Sequence, residues 1–80
     1  MFARGKIVRA TAGGEKGGLF AVLYCENGFA YIADGKRRKS DNPKKKSLKH
    51  LEPLDISLDD NELTDKKLRK ALNKIKASLP

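Results

Sequence analysis

Residues 19–35 read Leu19-Phe20-Ala21-Val22-Leu23-Tyr24-Cys25-Glu26-Asn27-Gly28-Phe29-Ala30-Tyr31-Ile32-Ala33-Asp34-Gly35. Two runs rich in apolar, β-branched and aromatic residues flank Asn27-Gly28. That pair is the strongest short hairpin signal, because both residues tolerate positive φ in a two-residue turn. The pattern predicts strands over 19–24 and 29–33, paired antiparallel. Asp34-Gly35 supplies a second turn of the same chemistry. Both runs are apolar at odd and at even positions. Phe20, Val22 and Tyr24 alternate with Leu19, Ala21 and Leu23, while Phe29 and Tyr31 alternate with Ile32. A sheet with one wet face alternates apolar with polar, so these strands require cover on both sides.

Towards the N-terminus, Gly5 to Thr11 reads as a further strand carrying Ile7 and Val8. Residues 12–18 hold four glycines and form a tight loop, since such a run suits neither a helix nor a strand interior. Towards the C-terminus, Lys36 to Lys39 reads as a short strand and Ser40-Asp41-Asn42-Pro43 as a turn. One or two short strands follow over 46–49 and 52–56, with Pro53 pointing to an edge position or a break, since it has no N–H for a ladder. A mobile tip is expected over 40–45. The tail is helical over 65–77. Thr64 stands at the N-cap, Asp65 at the positive end of the dipole, and Leu63 and Leu68 at the positions of a hydrophobic staple. The acidic run Asp59-Asp60-Asn61-Glu62 is its approach. Leu68, Leu72, Ile75 and Leu79 recur on one helical face. This stripe is the one element in the chain fit to cover the outside of the sheet, at roughly 1.5–3 kcal/mol per buried side chain; a dock on another molecule is the alternative.

Charge is concentrated. Of the formal net charge of +8, residues 1–34 contribute +1, residues 35–50 contribute +7 and residues 51–80 contribute zero. A one-sided field of this kind attracts polyanions: nucleic acid first, then an anionic membrane surface or an acidic protein. One cysteine, Cys25, excludes an intramolecular disulfide and fits a reducing cytoplasm. No apolar run is long enough for a transmembrane helix, and the N-terminus has no apolar signal core. His50 and Cys25 are 25 residues apart and have no partners for catalysis. Gly13 to Gly18 lacks the Gly-Lys-Ser/Thr ending of a nucleotide loop. The expectation is therefore no enzyme, no catalytic residue, no metal and no cofactor. His50 is expected to pack at a strand edge. Of Tyr24, Phe29 and Tyr31, at most one is expected to be exposed.

Gly5-x-x-Val8, Ala12-Gly13-x-x-Lys16-Gly17 and the apolar strand Leu19–Leu23 resemble a KOW motif, a strand–loop–strand unit with a key glycine. Asp34-Gly35-Lys36-x-Arg38, followed by Pro43-Lys44-Lys45-Lys46-x-Leu48-Lys49-His50-Leu51, is similar to the small bacterial KOW-domain proteins. Those are akin to KOW proteins of the archaeal and eukaryotic large ribosomal subunit. Glu15 departs from the pattern, which often places a polar or basic residue there. The matched features span about residues 4–52. The resemblance implies a mainly β fold, an SH3-like β-barrel over residues 1–58 with a basic loop at 36–49; the acidic linker and C-terminal α-helix over 59–80, read from their own pattern, lie beyond the matched part and are expected in the same domain. The resemblance also implies binding to structured RNA, ribosomal RNA above all, in a cytoplasmic, ribosome-associated monomer. The expected main phosphate contacts are Arg37, Arg38, Lys44, Lys45, Lys46 and Lys49, with Lys36, Lys39 and Lys16 secondary. The alternative is an SH3-like module that binds a ribosomal or transcription protein.

Overall fold

The computed structural model describes residues 2–79; Met1 and Pro80, the outer ends of the two segments above, lie outside the described residues. Five strands form one antiparallel sheet: β1 (Lys6–Ala10), β2 (Leu19–Glu26), β3 (Phe29–Ala33), β4 (Lys44–Ser47) and β5 (Leu51–Ser57). Their order across the sheet is β4-β3-β2-β1-β5. One helix, α1 (Asp65–Ser78), follows, and short 3-10 turns stand at Leu48–His50 and Asp60–Glu62. The Asn27-Gly28 turn joins β2 to β3 with φ of 52° and 81°, as its chemistry requires. Pro53 lies on β5, an edge strand, where its missing N–H costs no ladder bond on the outer side.

Both faces of the sheet are covered, as the double apolar pattern demands. On one face Val8, Ala10, Phe20, Val22, Ala30, Ile32 and Leu51 form a cluster. On the other, Ile7, Ala21, Leu23 and Ala33 pack under Leu63, Leu68 and Leu72. Ile7 pairs with Ala21 and Ala21 with Ala33, so two alanines lie in the row beneath the helix and admit it closely. Leu68 is fully buried in consequence. Gly35 allows a second close approach. Its φ is 76°, and a Cβ there would collide with the carbonyl of Asp65 in the first helical turn.

Several local expectations need correction. Residues 36–39 form no strand. One carboxylate oxygen of Asp34 accepts the backbone N–H groups of Lys36 and Arg38, both at 2.9 Å, and curls the chain into a turn. β4 starts at Lys44, two residues before the expected 46–49, and gives way to the 3-10 turn at Leu48. Lys44 and Lys45 therefore belong to a paired strand and not to a loop tip. Thr64 does occupy the N-cap position, but its hydroxyl makes no capping bond. Asp65 instead turns its carboxylate outward to accept Ser40 N–H at 2.7 Å, tying the helix start to the loop. Leu79 follows the helix as its C-cap and does not continue the stripe.

Candidate nucleic-acid interface

A groove of about 720 Å³ opens between the Gly-rich loop, the turn after β3 and one side of α1. Lys16 comes from the loop, Lys36, Arg37 and Arg38 from the turn, and Arg69 and Lys76 from the helix. Glu15 and Asp34 are the carboxylates on its wall, so six cations face two anions. Asp34 is committed to the two amides of its own turn. Among the described residues none of the six cations is in an ion pair. Their charge is available to a ligand.

The lysines of β4 have other partners. Strand pairing sets Lys44 against Ile32 and Lys46 against Ala30, so both point to the face of the cluster that holds Ala30 and Ile32, while Lys45 points to the opposite face. Lys46 is only 8% exposed. Its Nζ donates to the Ala12 carbonyl at 2.7 Å and to Glu15 Oε1 at 3.0 Å. Lys44 Nζ lies 3.8 Å from the other Glu15 oxygen. The hydrogen bond from Lys46 holds the Glu15 carboxyl below the ordinary carboxylate range, with the charges of Lys46 and Lys44 assisting against partial desolvation. A Cβ on Gly13 would stand 2.7 Å from Lys46 Nζ, so the glycine makes room for the ammonium. Lys44 and Lys46 therefore fasten the Gly-rich loop and offset the charge of Glu15 in the groove wall. Lys46, expected as a main phosphate contact, is committed to the fold.

The remaining expected contacts are dispersed. Lys39 and Lys49 are exposed and stand outside the groove lining. Lys45 sits with its ammonium 4.6 Å from the centroid of the Phe29 ring. Arg69 and Lys76 were not among the expected contacts. Their signal is visible when residues 51–80 are divided: 51–64 carry five acidic and no basic residues, and 65–80 carry six basic and one acidic. His50 is exposed rather than packed; its carbonyl accepts Thr11 N–H at 2.9 Å, and this backbone bond fixes it without any use of the ring. Of the three strand aromatics only Tyr24 is exposed. Cys25, also exposed, donates its thiol to the Phe2 carbonyl at 3.0 Å. Among the described residues no group of three His, Cys, Asp or Glu side chains converges to hold a metal ion, and no helix is long and apolar enough to cross a membrane. No protein-family model matches this chain, and a comparison with curated proteins finds no match.

Proposed function

We propose that this chain is an RNA-binding protein, not an enzyme, that seats phosphates of structured RNA in the basic groove. The observation that carries the reading is the convergence of six side-chain cations from three separate elements, without carboxylate partners among the described residues, on one groove. Arg37, Arg38 and Arg69 supply planar guanidinium forks suited to bidentate phosphate contacts, and Lys16, Lys36 and Lys76 act as point charges. Such contacts position an RNA without reading its sequence.

The resemblance to KOW-domain proteins makes ribosomal RNA the first candidate, with cytoplasmic, ribosome-associated action. It accords with an SH3-like reading of the sheet. What supports that reading is the five-strand antiparallel order β4-β3-β2-β1-β5, with a single apolar cluster running along one face from Leu51 on β5 to Ile32 on β3. Filter binding to ribosomal RNA fragments over a salt series tests the function. Engagement of about five cations gives a log–log slope near −4 to −5, at roughly −0.9 per contact. A flat salt dependence, or a protein partner retained from nuclease-treated extract with no RNA affinity, would turn the reading towards a protein-interaction module.

A further inference from the structure

A second feature lies on the sheet, built from residues that the groove does not use. Tyr24 of β2 pairs with Tyr31 of β3, and Tyr31 pairs with Lys45 of β4. Directly opposed residues of antiparallel strands project to the same side, so the three form one row. The two tyrosine rings are stacked, with centroids 4.3 Å apart and planes 13° from parallel. Phe29 stands two residues before Tyr31, hence on the same face, and carries the Lys45 ammonium over its ring. None of the three aromatics belongs to either core cluster, and Tyr24 is 49% exposed. Among the described residues Lys45 has no carboxylate partner. Glu26, opposite Phe29, borders the row at the turn.

We infer that this row is a stacking platform for unpaired nucleobases of RNA, an inference that rests on the RNA-binding reading above. Every base has a π-face that stacks on an aromatic ring, whatever the sequence. The outer side of Tyr24 extends a ring stack that already exists, so a base adds to an ordered surface. Lys45 sets a cation beside the rings, which suits a polyanion with flat faces better than an apolar peptide. Tyr31 lies three residues before Asp34 at the groove, about 10 Å along an extended chain. One RNA therefore reaches both, with duplex phosphates in the groove and unpaired bases on the platform. The substrate class is a junction between a helix and a single-stranded segment.

The test is direct because the chain has two tyrosines and no tryptophan; its intrinsic emission comes from the platform. The protein is titrated with single-stranded oligoadenylate RNA, with a blunt RNA duplex and with inorganic polyphosphate. Oligoadenylate quenches the tyrosine emission, while the other two bind and leave it near its free value. Tyr24→Ala weakens oligoadenylate binding about 5- to 100-fold, Tyr24→Phe preserves it, and duplex binding is unchanged in both. Equal oligoadenylate affinity for Tyr24→Ala and the parent protein overturns the inference. So does equal quenching by polyphosphate, by a proline-rich peptide, or by raised protein concentration without RNA, the last two marking a peptide site or self-association. The groove reading fails separately, if Arg37→Gln/Arg38→Gln/Arg69→Gln binds the duplex as tightly as the parent.

Discussion

Arg37 and Lys46 belong to one basic run, yet Arg37 lines an open groove with no ion-pair partner among the described residues, while Lys46 is 8% exposed and donates to Glu15 and to the Ala12 carbonyl. The difference comes from local backbone geometry. Asp34 captures two amides and makes 36–38 a turn, whose side chains line the groove. Lys44 to Lys46 continue the ladder from β3, and a ladder sends alternate side chains to opposite faces. Formally equivalent charges thus divide into a set that holds the groove in shape and a set that its ligand meets.

The largest effect is expected where the helix wall meets the sheet. Leu68→Ala removes the most deeply buried residue of α1 and should cost about 2–5 kcal/mol in urea unfolding, loosening Arg69 and Lys76 from the opposite wall. Lys46→Met leaves the Ala12 carbonyl without its donor and Glu15 with Lys44 alone, and should cost about 1–3 kcal/mol. Arg37→Gln/Arg38→Gln should stay within about 0.5 kcal/mol of the parent in the same assay, because these side chains hold nothing in the fold. If it destabilises as much as Lys46→Met, the division between the two sets is lost.

The anchored set depends on pH through Glu15. Its carboxyl is held low by Lys46. The stability it contributes is therefore fully present above the ordinary carboxylate pKa of about 4.3 and is lost as pH falls through the lower folded value. Urea midpoints should decline more steeply below about pH 5 in the parent than in Glu15→Gln. Parallel declines would mean that the Lys46–Glu15 contact does not survive in solution.

The hairpin, the helix and the two-sided core were legible in the sequence because each rests on local chemistry or on a period. Asn27-Gly28 needs no tertiary context, and Leu68 and Leu72 mark a face whatever they pack against. The fate of the lysines was not legible, since three in succession give no alternation from which to read an inward side. Lys46 points inward because Ala30 sits opposite it, a fact of register. Asp34 read correctly as a turn residue, but its hold on the amides of Lys36 and Arg38 replaced the strand expected there. Arg69 and Lys76 escaped notice because the acidic run at 52–62 cancelled the helix charge within one window; division at Thr64 exposes it.

If the proposed function holds, the free set, and not the anchored set, meets RNA. The most direct measurement compares the salt dependence of ribosomal RNA fragment binding for Arg37→Gln/Arg38→Gln/Arg69→Gln with that for Lys44→Gln/Lys46→Met, at a temperature where both are folded. The slope should fall by about 2 to 3 for the arginine variant, at roughly 0.7–0.9 per lost contact, and by less than about 1 for the lysine variant, whose affinity falls because Glu15 is left without its cations in the groove wall. An unchanged slope for the arginine variant, together with a slope reduced by about 1 or more for the lysine variant, would put RNA on Lys44 and Lys46 instead.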